Sequence, residues 1–433
     1  MKKILTLLMM AVLFLGVLAA CGPDSSKESG SSSGSKSDDK GKTTEGEMPE
    51  KPEKLVVWED TDRGVALEPA IESFEKEYGI EVEYKELGMS DEIRDQLRLD
   101  GPAGTGPDVV TLPHDQIGQV VTEGLIAELN VEQEVLDTYT ETSVSAQQFE
   151  GKLYGLPKAM ETPIFLYNKA HMSEAPKTME EVYTFAKDFT KDSNFGFLFL
   201  GDNYYFSHGL IGGYGGYVFK EANGALDPKD VGLNNEGAVQ GAEEIQKWYT
   251  EGLFPKGIIG ENGGSTMDGL FNEGKVAAVM NGPWAVQGMK DAGIDVGAAA
   301  LPTLSNGEHV KTFIGVKGWH VSAFSKNTEW ATKLVEHITN AENAKLRFEL
   351  TNEVPPVKEL IEDPIIKDNE VATAVAEQSQ YAVPTPNTPE MAEVWEPMAD
   401  SLQTIVTGKA EPKAALDSAV KTINQNIETN HKK

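Results

Sequence analysis

Gly151–Lys169 reads GKLYGLPKAMETPIFLYNK, and the fold turns on this stretch. Leu153–Leu156 and Ile164–Tyr167 are short apolar, aromatic-rich runs that read as strands. Between them Pro157 and Pro163 bracket a few extended residues that can neither continue a helix nor complete a central ladder. Two strands joined by stiff extended backbone suit a crossover between two lobes better than a tight turn. Glu161 lies inside the bracket, where its carboxylate would face the gap. Taken alone, the stretch fits an ordinary loop with a solvated Glu better. The flanking sequence shifts that balance.

Upstream, Leu55–Trp58 reads as a buried strand. Leu67, Ala70, Ile71, Phe74 and Tyr78 recur at helical spacing, and Ile80, Val82 and Tyr84 alternate as a further strand. Strand, helix and strand within about thirty residues make a βαβ unit and a parallel sheet. Ile93 and Leu97 mark a second helix and Asp108–Leu112 a third strand. The ligand crevice of such a doubly wound lobe lies beyond the C-terminal ends of its strands. Downstream, Thr178 and Glu181 form a capping box for a helix over Met179–Thr190. Phe195–Leu200, Val276–Met280, Asp295–Leu301 and Gly318–Phe324 read as strands. Glu236–Tyr249, the segment from Thr328 to Leu350, Pro389–Thr407 and Pro412–Thr429 read as helices, with Pro397 expected to kink or offset the third. One lobe interrupted by another fits this order better than two consecutive domains.

The 433 residues suffice for two or three domains. A net charge of −31 argues against nucleic acid and against docking on anionic lipid. The single cysteine, Cys21, rules out an intramolecular disulfide or a thiolate metal cluster, and the seven His show no metal-binding spacing. Lys2 and Lys3 precede an apolar segment, Ile4–Leu18, too short for a comfortable membrane span. Leu18-Ala19-Ala20-Cys21 then resembles a bacterial lipobox, which predicts cleavage before Cys21 and a diacylglyceryl anchor there. Residues 22–54 are nearly devoid of apolar side chains and read as a flexible tether of roughly 30 Å end to end. Gly30–Gly34 matches the hydrolase pattern GxSxG, but no strand–turn–helix surrounds it.

Several segments end in aromatic and acidic residues: Trp58–Arg63, His114-Asp115, Asn203–Phe206, Asn281–Trp284 and Trp395. This mixture suits sugars, whose C–H faces stack on rings and whose hydroxyls donate to ionised carboxylates. Each residue also has a plainer reading. Trp58 and Trp395 fit packing, Tyr205 fits core, and Asp62 or Asp115 fits a helix cap. Gly212–Gly216 lacks GxGxxG spacing and a nucleotide reading is poor.

From Leu55 almost to the end, the chain resembles the maltose/maltodextrin-binding proteins of bacterial ABC importers. The matching residues are Leu55–Trp58, Asp62-Arg63-Gly64, Gly106–Val109, His114-Asp115, Glu161 and Leu166–Lys169. Gly215–Lys220, Asp230–Gly232, Asn281–Trp284, Leu301–Thr303 and Trp395 complete the resemblance. It implies an α/β, two-lobed periplasmic-binding-protein-like fold, each lobe a doubly wound sheet, joined by several crossover segments. The implied division is a signal peptide over 1–20 and lipidated Cys21 with its tether over 21–54. One lobe comprises 55–158 and 301–353, and the other 159–300 and the C-terminal helices of 354–433. Asp62, Arg63, Asp115 and Glu161 resemble the family's sugar-hydroxyl ligands, and Tyr205, Trp284 and Trp395 its aromatic platform. Asp60 stands where better-known members have Asn. Leu112 and Val286 replace Trp, Gln116 replaces Arg and Glu396 replaces Tyr, which puts maltose itself and the preferred chain length in question.

The implied function is an extracellular, lipid-anchored monomer that captures maltodextrin and delivers it to an ABC permease. Another oligosaccharide, such as a cyclodextrin, is the alternative ligand. No cofactor, metal or nucleic acid is expected. A secreted glycoside hydrolase is the rival from another class, because acidic pairs beside sugar-stacking rings also describe that machinery.

Overall fold

The structure is a computed structural model that describes residues 48–90, 92–222 and 225–431. Cys21 and the leader lie outside the described residues. The first βαβ unit forms as its periodicity dictates: β1 (Lys54–Asp60), α1 (Gly64–Tyr78) and β2 (Glu81–Leu87), with β1 and β2 parallel. After α2 (Glu92–Ala103), β3 (Val109–Pro113) lies parallel to β1 on its other side. β4 (Gly155–Glu161) follows and β5 (Ile164–Asn168) begins three residues after it ends. The chain continues through α3 (Met179–Phe189), α4 (Tyr204–Gly213) and α5 (Glu236–Thr250). β6 (Ala278–Asn281), α6 (Val286–Asp291), β7 (Val296–Ala299) and β8 (Phe313–Val321) come next. α7 (Thr328–Thr339), α8 (Ala341–Thr351), β9 (Val383–Pro384), α9 (Ala392–Val406) and α10 (Pro412–Asn430) complete the elements used below.

Two sheets result. The first has the order β9-β8-β3-β1-β2, with β4 also paired to β8, and the second has the order β6-β5-β7. The first is mixed, with β8 antiparallel to β3, and the second is antiparallel, because β5 runs opposite to both neighbours. Each sheet has its own core. Leu55, Phe74, Trp319, Leu334 and Phe348 belong to the first, and Phe165, Phe197, Trp248, Val279 and Leu402 to the second. The first core also takes Val357, Leu360, Ile366 and Ala372 from beyond position 353.

β4 belongs to the first sheet and β5 to the second, so the passage between lobes is only Thr162-Pro163. The Thr162 hydroxyl donates to the Phe313 carbonyl at 2.8 Å and lies 2.6 Å from Thr312 Oγ1, which ties this crossing to a second one. The proline bracket completes no central ladder, as expected, but β4 runs on through Pro157 to Glu161, pairs with β8 alone among the named strands and carries a bulge. Pro157 faces Gly318 while Ala159 faces Lys317, leaving Lys158 as the extra residue. A missing N–H is tolerated at such a place.

Four other expectations change. Gly196–Leu200 is buried and Phe195 half-buried, but the segment forms only isolated bridges, at Phe195 to Val276 and Leu198 to Val279. The strand expected at Gly318 begins at Phe313, and α4 stands where a strand-end loop is expected, because an all-round apolar helix shows no period. The tether expected to reach residue 54 is already docked at Pro49, whose carbonyl accepts from the Trp330 indole at 3.0 Å.

The bulge turns Lys158 into the interior. Its ammonium lies 2.5 Å from Glu59 Oε1, 3.7 Å from Glu353 Oε2 and 4.9 Å above the Trp319 ring, and both members of the Lys158–Glu59 pair are fully buried. Burial raises the Glu59 carboxyl pKa, and the adjacent ammonium pulls it back. Removing one member strands the other without water. Lys158→Met should therefore lower stability by about 3 kcal/mol in urea unfolding, whereas Lys158→Met with Glu59→Leu should recover most of that loss.

Candidate functional site

Between the sheets lies a cleft of about 760 Å³. The period of two along β8 puts Gly315 and Lys317 on its wall, while Ile314 and Val316 line a separate cavity of about 710 Å³ on the opposite face. Asp60, Arg63, Asp115, Glu161, Tyr205, Trp284 and Trp395 all border the cleft. Asp62 does not. It is exposed in the turn between β1 and α1 with φ 60°, and the N-terminus of α1 is satisfied by Glu86, which accepts from the amides of Arg63 at 3.0 Å and Gly64 at 2.6 Å.

Each polar residue is held by its own element. Asp60 ends β1, and its Oδ1 accepts from the amides of Thr61 at 2.9 Å and Met89 at 3.0 Å. Asp115 follows β3 in a short turn. The buried His114 beneath it takes the Val316 amide on Nδ1 at 3.1 Å and places Nε2 3.1 Å from the Thr385 carbonyl, which fixes the Nε2–H tautomer. Burial lowers that imidazole to about 4, so it is neutral. Glu161, at the end of β4, pairs with Lys317 at 2.8 Å, and Lys317 reaches Glu353 at 3.1 Å. Burial would discharge Lys317, but the carboxylates of Glu161, Glu353 and Asp60 hold its pKa well above the ordinary lysine value.

The rings come from the other lobe. Asn203 caps α4 by accepting from the Tyr205 amide at 3.0 Å, which sets Tyr205 in the first turn. Its ring centroid is 6.2 Å from those of Trp284 and Phe313. The Trp284 ring folds back over Gly282, where a Cβ would come within 1.9 Å of the indole. Trp395 lies in α9 with its ring 5.9 Å from Tyr204 and Phe313. Tyr205 borders the cleft, and its hydroxyl is buried with no hydrogen-bond partner among the described residues.

Sequence reading does not single out the cleft cations Arg94 and Lys317. Lys317 falls just ahead of a strand expected five residues too late, and Arg94 reads as the solvated side of an amphipathic helix. Of the five departures, Asp60 and Gln116 border the cleft, and Gln116 donates to the Ser90 carbonyl at 2.6 Å. Leu112 and Val286 are fully buried and Glu396 is exposed, and none of the three borders the cleft.

Residues 69–374 match the family described as bacterial extracellular solute-binding protein. The chain belongs to that family. This solute-binding protein is 48% identical over 433 residues to a galactooligosaccharide-binding protein of Bacillus subtilis, covering 99% of this chain and 98% of the relative. It is 37% identical over 369 residues to a maltodextrin-binding protein of the same organism, covering 83% and 87%. A crystal structure of a cyclo/maltodextrin-binding protein complexed with maltotetraose superposes with a TM-score of 0.76 at 43% identity, covering 88% of this chain and 99% of that one.

The cleft of this solute-binding protein carries three acids, Asp60, Asp115 and Glu161, against three cations, Arg63, Arg94 and Lys317. Burial is the main cause that pushes the Asp115 carboxyl up to about 6, and Glu161 adds to it. The folded state therefore binds more protons than the unfolded chain between pH 4 and 6, and stability falls as pH rises through that window. Asp115→Asn should raise the ligand-free Tm at pH 7 by about 2 °C or more, with the gain gone at pH 4, as read by differential scanning fluorimetry. Tyr205→Phe removes a buried hydroxyl without a partner and should raise the ligand-free Tm at every pH by about 2 °C.

Proposed function

We propose that this protein captures a neutral oligosaccharide between its lobes and delivers it intact to the membrane subunits of an ABC importer. The arrangement that supports this reading is one cleft with stacking rings on one side and hydroxyl partners on the other. Tyr205, Trp284 and Trp395 stand on the second lobe, and Asp60, Arg63 and Asp115 on the first, with Glu161 at the crossing. The balance of charge in the wall favours a ligand without formal charge, even though the chain as a whole is at −31. The unpartnered Tyr205 hydroxyl supplies a polar group that a sugar hydroxyl would satisfy. Asp62 is kept as a ligand only for a saccharide long enough to reach the β1–α1 turn.

A micromolar affinity corresponds to about −8 kcal/mol, which a few ring stacks of about 1 kcal/mol each and several charged hydrogen bonds can supply. Ligand favours closure only through interactions that form once the lobes meet. Two opposed walls provide them. Nothing in this mechanism breaks a bond, so the protein is read as a carrier and not as a hydrolase. Acylation of Cys21 would hold it on the extracellular face of the membrane.

Maltodextrins are the first reading for the ligand. Galacto-oligosaccharides are the second, favoured by the 48% identity that extends over 99% of the chain. A thermal-shift panel of maltose, maltotetraose, cyclodextrins, galactotetraose and unrelated sugars separates them, because only a true ligand raises Tm. Trp284→Ala should weaken the responding sugar about tenfold or more in calorimetry. No shift with any oligosaccharide, or an unchanged constant for this variant, would remove the cleft from the function.

A further inference from the structure

The cavity of about 710 Å³ on the far side of β8 has an unused hydrogen-bond donor in its wall. His208, on α4, borders this cavity and is 2% exposed. Its Nδ1 lies 2.9 Å from the hydroxyl of Tyr204, which is itself buried and has no other acceptor among the described residues. The hydroxyl therefore donates to Nδ1, and the ring proton sits on Nε2. Burial lowers the His208 pKa to about 3, so the imidazole is neutral. Nε2 makes no hydrogen bond among the described residues. It faces the bare Cα of Gly212, another residue of the cavity wall, where a Cβ would come within 3.1 Å of it.

Lys311 stands next to it. The same Cβ position at Gly212 is 3.5 Å from the Lys311 Cβ, so the two side chains flank one point. Lys311 is half-buried, borders the cavity and has no ion pair among the described residues. A chain with 69 acidic residues against 38 basic ones thus leaves this ammonium without a carboxylate. The other charged residues of the wall, Lys220 and Glu221, are exposed, and Lys220 is paired with Asp230 at 3.5 Å. Flat apolar groups surround the donors. Phe313 stacks on the His208 ring with centroids 3.8 Å apart and planes 5° apart, and Tyr217 and Phe219 also border the cavity. His208 precedes Leu210 and Ile211 of the second core, and Lys311 lies between its members Val310 and Phe313. The grouping of donors and rings is therefore built within one lobe and does not depend on how the two lobes are set.

We propose that this cavity is a second binding site, separate from the saccharide cleft, for a small aromatic monocarboxylate. One carboxylate oxygen accepts from His208 Nε2 and the other from Lys311 Nζ, while the ring lies against Tyr217, Phe219 and Phe313. A carboxylate satisfies both donors at once, with a charge-assisted bond to the ammonium. A neutral sugar brings no charge for Lys311, and a second negative charge would meet Glu221. The volume falls within the roughly 300–1,000 Å³ of small-molecule sites. The site goes beyond oligosaccharide capture and stands whichever sugar the cleft takes.

The test is calorimetry of the protein with naphthalene-2-carboxylate, which should bind at one site. The uncharged naphthalene-2-methanol should bind about tenfold more weakly or worse, and the aliphatic acid decanoate more weakly than the naphthoate. Lys311→Met should weaken the naphthoate about tenfold or more. Gly212→Ala, which sets a methyl group against Nε2, should do the same. Trp284→Ala, in the saccharide cleft, should leave the naphthoate constant unchanged. No binding of the naphthoate at about 1 mM overturns the proposal. Equal affinity for the alcohol, tighter binding of decanoate, or an unchanged constant in Lys311→Met does so too. A loss in Trp284→Ala would place the probe among the rings and cations of the cleft, and that also overturns it. Were Gly212→Ala not to fold, Lys311→Met alone decides.

Discussion

The burial of Lys158 against Glu59 is the constraint on which the rest depends. Two charges withdrawn from water are tolerated only when each meets the other at close range. That requirement sets the bulge in β4, the register of β4 on β8 and the position of Lys317 one pair further along. Glu353 then serves two ammonium groups, Lys158 and Lys317, and lies near Arg63. Burial alone would raise its carboxyl, but the cations of Lys158, Lys317 and Arg63 hold it far below the ordinary range. A charged floor of this kind is stiff, because moving any member exposes another to an apolar interior.

On this floor the two lobes contribute different chemistry for a structural reason. Strand ends and the crossing present backbone-anchored carboxylates and cations, whereas the second lobe presents rings near the starts of helices, Tyr205 in a first turn capped by Asn203. Asn203 sets Tyr205, and the bare Cα of Gly282 gives Trp284 room to lie flat. A neutral polyol fits between such walls, where anions would meet three carboxylates and cations three positive groups. The relatives named for galactooligosaccharide and maltodextrin binding share this family, and the departures of this chain from better-known maltodextrin binders mostly fall away from the cleft. Leu112 and Val286 are core residues here. The differences that do border the cleft are Asp60 and Gln116, the latter an amide bound to the Ser90 carbonyl.

Sequence alone determined the strands and helices with a clear period, the capping box at Thr178, the two-lobed order and the crossing near Glu161. These are local signals: alternation, 3.6-residue spacing and proline stereochemistry act over a few residues. It also named seven of the residues that border the cleft, through resemblance and not through chemistry, since a Trp or Asp at a strand end reads equally as packing or capping. Only the tertiary structure decided that β8 begins at Phe313, that Lys317 faces the cleft and that Asp62 stands outside it. It alone decided that Asn352 meets Gln287 and Lys290, 65 and 62 residues away. Pairing partners, bulges and the side of a sheet that a residue faces depend on the meeting of distant segments, and no periodicity within a segment encodes them.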